Sequence, residues 1–103
     1  MAAPDPKAAL TVTELTNQVK AVLLTGFPDV WVVGEISSLK FHASGHVYFS
    51  LKDPQAVVSA VIWRTMAARL SFQPQEGLEV FARGRLYVYA PQGKYNLVVS
   101  DMH

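Results

Sequence analysis

Residues Trp31 to Asp53 read WVVGEISSLKFHASGHVYFSLKD. Two runs of strand-forming residues flank a polar connection, Lys40-Phe41-His42-Ala43-Ser44-Gly45, in which Ser44-Gly45 supplies a turn. In the second run Val47, Phe49 and Leu51 alternate with His46, Tyr48, Ser50 and Lys52. A period of two places the apolar set on one side of a pleated strand, whereas a helix would scatter it around its circumference. The stretch therefore predicts a half-buried antiparallel hairpin. Its first run, from Val30 to Phe41, is long for one regular strand. Gly34 in its middle predicts a bulge or bend, by which one long strand serves two sheets of a small barrel.

The same alternation recurs downstream. Ala56 to Trp63 predicts a third strand, with Val58, Ala60 and Ile62 inward and an unusually apolar outward set of Val57, Ser59, Val61 and Trp63. Arg64 to Leu70 has short helical character, and Phe72 to Gly77 is a connection marked by proline and glycine. In Leu78 to Ala90, Val80, Ala82, Gly84, Leu86 and Val88 share one side, while Phe81, Arg83, Arg85, Tyr87 and Tyr89 share the other. Gly84 again invites a bend. Pro91-Gln92-Gly93 turns the chain into a last strand, where Tyr95, Leu97 and Val99 alternate with Lys94, Asn96 and Val98. Upstream, Thr11 and Glu14 match a capping box, and Leu15, Val19, Val22 and Leu23 recur at helical spacing until Phe27-Pro28-Asp29 stops the helix.

These elements predict a mainly β domain. Residues 1–10 form a flexible lead-in, residues 11–27 a helix packed on the barrel, and residues 30–103 a five-stranded Greek-key barrel of the OB-fold type, with a short helix between strands three and four. An open sandwich or an SH3-like barrel is the alternative, and the helical turn after strand three favours the OB-fold. A chain of 103 residues supports one core. With 50% hydrophobic and 17% charged residues, it is apolar enough to suggest a concealed face. The net charge of +1 leaves any electrostatic attraction to local placement. The lack of cysteine excludes disulfides, thiolate metal sites and a cysteine nucleophile. No apolar run has the length of a membrane span, and the start lacks the pattern of a secretory signal, so a soluble cytoplasmic protein is expected.

In an OB-fold the ligand surface is the face of strands two and three with the loops joining strands one to two and four to five. Those positions gather Lys40, Phe41, His42, Ser44, His46, Tyr48, Lys52, Trp63, Tyr89, Gln92, Lys94 and Tyr95, with Arg83, Arg85 and Tyr87 continuing the outward side of strand four. Cations that track phosphates and rings that stack on bases are what a single-stranded nucleic acid requires. Tyrosine and arginine also occur as ordinary strand and surface residues, so the pattern is equally compatible with a plain surface. The outward valines and Trp63 suit a stacking platform or a protein interface. His42 and His46 lack a third ligand, so no metal site is expected. Ser44 lacks the surroundings of a nucleophile, and Glu76 and Glu79 lack the apolar cover of an acid/base pair. Glu35 is expected to bond local backbone or an arginine. No cofactor is implied.

The run VVGEISSLKFHASGHVYFSLKD, the pair Trp63-Arg64, the step Gly77 to Val80 and the turn Tyr89 to Tyr95 together resemble the N-terminal OB domain of the exodeoxyribonuclease VII large subunit. The helix LTVTELTNQVKAVLL resembles the segment that precedes the barrel there. The resemblance implies a module that binds single-stranded DNA, with Arg64 added to the binding residues, and presents it to a nuclease. That family degrades single-stranded DNA from either end without added divalent metal and works with a small helical subunit. This chain stops at His103, where the family continues into a catalytic region, so no catalytic residues and no hydrolysis are expected of these residues alone. A protein-interaction module, including a homodimer through strand three or the leading helix, and a generic RNA- or oligosaccharide-binding domain remain the alternatives.

Overall fold

The computed structural model describes residue 2 and residues 5–103. The expected lead-in falls partly outside the described residues; within them, Pro6–Ala8 form a 3-10 turn capped by the Asp5 carboxylate. Helix α1 spans Val12–Gly26 and opens on the reciprocal pair anticipated from sequence. The Thr11 hydroxyl accepts from the Glu14 N–H at 3.1 Å, and the Glu14 carboxylate accepts from the Thr11 N–H at 3.2 Å.

Strands β1 (Val30–Phe41), β2 (Val47–Lys52), β3 (Val57–Ile62), β4 (Glu79–Tyr89) and β5 (Lys94–Met102) close a barrel in the order β1-β2-β3-β5-β4. The four-residue helix α2, Arg64–Ala67, separates β3 from β4. All neighbouring pairs are antiparallel except β3 and β5, which run parallel and bring Val61 beside Val98. The inward rows are those the alternation specifies. Ile36, Phe49, Leu51, Ile62, Val80 and Leu97 form the centre of the core, and Met66, Leu70 and Phe72 close over it from the α2 segment. Burying side chains of this size contributes roughly 1.5–3 kcal/mol each, which makes the closed interior the main source of stability.

Two expectations about β1 and β3 need correction. Gly34 sits in regular register opposite Val80, and the irregularity lies four residues later, where Ser38 and Leu39 together face Phe49. Ser38 there takes a left-handed φ of 51°. The bulge exposes two backbone N–H groups on the same side, and the Glu76 carboxylate accepts both, at 3.0 Å from Ser38 and 2.9 Å from Leu39. Charge-assisted bonds of this kind hold an otherwise unpaired segment in one shape. Replacing Glu76 with alanine is expected to destabilise the domain by about 1–3 kcal/mol, measured by urea unfolding, because it orphans both donors. The long bent strand does serve two neighbours: Val30 to Glu35 pair with β4, and Glu35 to Phe41 with β2.

On β3, Val61 is buried although it points away from the core row. Neighbours on both sides, Tyr48 of β2 and Val98 of β5, convert an expected surface position into a groove floor. Helix α1 lies along β4 and the turn that follows it. It turns Thr16, Lys20 and Leu23 toward the barrel, so Leu15, Val19 and Val22 remain exposed.

Candidate nucleic-acid interface

The outward rows of β2, β3 and β5 meet the ends of β1 and β4 in a groove of about 530 Å³. Its floor is Ser50, Ser59, Val61, Asn96 and Val98. Tyr48, Trp63, Tyr87 and Tyr89 stand around it, with Lys40 on one side and Lys94 on the other. Tyr48, Trp63 and Tyr89 are 40–45% exposed, so each ring is partly packed on protein and partly open. The two lysines are the charged lining residues, and among the described residues no carboxylate joins them. The carboxylates Glu35, Asp53 and Glu79 gather instead in a separate depression at the end where β2 turns into β3. The small net charge thus conceals a segregated surface.

The β1–β2 loop is built to place Trp63 and Arg64. Gly45 turns the chain with φ of 93°, a conformation that favours glycine. His42 Nδ1 accepts from the Ser44 N–H at 3.1 Å and lies 2.8 Å from the Ser44 hydroxyl. The His46 Nδ1 accepts from the Arg64 N–H at 2.9 Å. The His46 ring meets Trp63 edge-on at 5.0 Å, and His42 meets Tyr48 in the same manner at 6.2 Å. Each histidine braces a groove aromatic, and both Nδ1 atoms are already engaged, that of His42 within the loop and that of His46 by α2. Arg64 itself faces a neighbouring depression of about 630 Å³, shared with Phe41 and Gly45.

A family model described as an OB-fold nucleic acid binding domain matches residues 10–103. The chain belongs to this family. Among its relatives, it is 49% identical over 96 residues to the exodeoxyribonuclease 7 large subunit of Chlorobaculum tepidum, covering 93% of this chain and 24% of that protein. It is 45% identical over 91 residues to the large subunit of the same name from Rhodopirellula baltica, covering 88% and 21%. The chain therefore spans about a quarter or less of the length of these relatives. Among solved structures it is similar to the SSB domain of a Synechococcus protein, with a TM-score of 0.58 at 18% identity over 73% of this chain and 92% of that one. That likeness is one of fold.

Within this OB-fold nucleic-acid-binding domain, the candidate residues read from sequence do not form one face. Lys40, Tyr48, Trp63, Tyr89 and Lys94 converge on the groove. His42, Ser44 and His46 support it from the loop, while Phe41 and Arg64 line the adjoining depression. Lys52 lies at the acidic end, 3.4 Å from Glu35, which is the partner Glu35 takes in place of the expected arginine or backbone. Tyr95 turns away from the groove toward the same end as Lys52, beside Val32 and Val58. Arg83 is held away from the groove by Asp29, through Nε at 2.9 Å from Oδ1 and Nη2 at 2.6 Å from Oδ2, and its guanidinium lies 5.8 Å from the Trp31 ring. The hydrogen bonds from Arg83 keep the Asp29 carboxyl below its ordinary value of 3.8, and the same bonds raise the Arg83 guanidinium. Arg85 stands by Pro28 and Ser100, beyond the end of the groove.

Tyr87, expected on the outward side of strand four, does join the groove, where the pairing of β4 with β5 sets it opposite Asn96. Lys20 reaches over the Tyr87 ring at 5.4 Å, adding a cation from a helix distant in sequence.

Proposed function

We propose that this domain binds single-stranded DNA along the groove of β2, β3 and β5, and that it serves an exodeoxyribonuclease VII large subunit by holding substrate for a catalytic region elsewhere in that protein. The observation that carries this reading is the convergence of three half-exposed rings with two lysines and no carboxylate on one groove among the described residues. Rings accept bases irrespective of sequence, and lysines follow the phosphates without reading bases. Binding is thus weakly selective, as a nuclease that consumes strands of any sequence requires. The small helical subunit of that enzyme and its catalytic region are the partners of this reading, and the cytoplasm is its location. Among the described residues no helix is long and apolar enough to cross a membrane.

Titration of a labelled oligothymidylate against salt tests the reading. With Lys40, Lys94 and Arg64 each neutralising one phosphate, log K is expected to fall with log salt at a slope of about −2, and Lys94→Ala to reduce that slope by about 0.7. Arg83→Ala, whose guanidinium is engaged by Asp29, is expected to leave the affinity within about twofold. Affinity indifferent to salt and to Lys94 sinks the reading. A matched RNA oligomer that competes better than DNA redirects it to RNA.

A second reading, contact with another protein through α1, is favoured by the exposed stripe of Leu15, Val19 and Val22. Sedimentation separates the two, since a homodimer through α1 leaves the groove open.

A further inference from the structure

On the outer face of β1 and β4, away from the groove, Val33 pairs with Phe81 and Trp31 with Arg83. Trp31, Val33 and Phe81 are 52%, 53% and 56% exposed. Outward positions of an antiparallel barrel are ordinarily polar, and single exposed apolar residues need no explanation. Three large ones on adjacent strands form a contiguous patch, which marks an interaction surface. Its rim is charged: the Arg83–Asp29 pair closes one end, and Glu35 with Glu79 the other. An apolar centre with a charged rim is the anatomy of a protein interface.

The path of the chain identifies the occupant. The ladder of β5 reaches His103, whose N–H donates to the Phe81 carbonyl and whose carbonyl accepts from the Phe81 N–H, both at 2.8 Å. The imidazole of His103 stacks on Trp31 with ring centres 5.8 Å apart, and its Nε2 lies 3.0 Å from Asp101. The last strand therefore leads directly onto the patch. The large subunits to which this domain is similar are much longer, and the domain corresponds to their N-terminal part. Any polypeptide continuing from His103 starts at the patch, where tethering gives it a high effective concentration.

We propose that the Trp31–Val33–Phe81 face docks the polypeptide that follows this domain in exodeoxyribonuclease 7 large subunits, and so fixes the orientation of the DNA groove relative to the rest of that protein. The test compares the 103-residue chain with a full-length fusion in which it replaces the matching segment of the Chlorobaculum tepidum large subunit. The chain has no cysteine, so Val33→Cys and, on α2 away from the patch, Thr65→Cys each introduce one thiol at an exposed position. Maleimide labelling is read at each site by peptide mass spectrometry. Position 33 is expected to react about tenfold more slowly in the fusion, position 65 at the same rate in both, and Phe81→Glu to restore labelling at 33. Hydrogen exchange of the core strands verifies that the barrel is folded in every protein compared. Equal labelling at 33 in chain and fusion overturns the proposal. Protection at 33 already present in the 103-residue chain and growing with its concentration also overturns it, since a second copy then covers the face. Neither readout involves DNA, so failure here leaves the groove assignment standing, and failure of DNA binding leaves this proposal standing.

Discussion

Truncating Tyr48 and Trp63 together to alanine is expected to weaken binding of a short single-stranded oligonucleotide by about a thousandfold, since stacking contributes roughly 2 kcal/mol per base. The two rings flank Val61 on the groove floor and are 40% and 41% exposed. Their exposed faces are free for bases, so their removal costs binding far more than folding. Fluorescence anisotropy reads the affinity and a thermal melt reads the fold. Tyr48→Phe keeps the ring and is expected to retain most of the affinity, which separates stacking from a hydrogen bond through the hydroxyl. A double alanine variant that melts normally and binds within a few-fold of the parent removes the groove from consideration.

The largest expected effect on stability is that of Gly84→Ala. A Cβ built there overlaps the Val98 carbonyl, with the carbonyl carbon at 2.8 Å and the Val99 Cα at 3.1 Å. The obstacle is backbone, so rotation of a side chain brings no relief. Gly84 marks the register shift between β4 and β5, where Ser100 is passed over and its hydroxyl donates to the Arg83 carbonyl at 3.1 Å. Separating the strands to admit a methyl disturbs the ladder that also positions Tyr87 and Asn96. The expected loss is about 3 kcal/mol, a large part of the roughly 5–15 kcal/mol that holds a domain folded. Gly26→Ala is the control. A methyl there meets nothing within 4 Å at the end of α1, and it is expected to stabilise by up to about 1 kcal/mol. Chemical denaturation that finds the two variants alike contradicts the close approach.

Much of the barrel was legible because its causes are local. The alternation of Val47, Phe49 and Leu51, and of Val80, Ala82 and Val88, assigned the core side of β2 and β4 without reference to any partner. The capping box of Thr11 and Glu14 lies within four residues, so the start of α1 was equally plain. A register shift falls at Gly84, where a bend was expected, with its extra residue, Ser100, on β5, whereas the bulge anticipated at Gly34 lies at Ser38 and Leu39. Nothing near Ser38 signals it, because the carboxylate that holds the bulge belongs to Glu76 on a distant loop. Glu76 lacks the apolar cover of an acid/base group, and its role as a backbone acceptor depends on a contact that one sequence does not reveal.

The candidate site divides along the same line. Lys40, Tyr48, Trp63, Tyr89 and Lys94 were legible as outward residues of chemistry suited to a nucleic acid, and they do meet. Arg83 shares its side of β4 with Tyr89 but is taken by Asp29, and Lys52 shares its side of β2 with Tyr48 but is taken by Glu35. The chain alone determined which elements form and which side of each faces the core, since periodicity is a property of one element and the water it avoids. Only the closed barrel decided which outward rows adjoin, through the parallel pairing of β3 with β5 and the shear that places Tyr87 opposite Asn96. The β3–β5 pairing joins strands far apart in sequence, and it turns scattered tyrosines and lysines into one groove, with the ion pairs outside it.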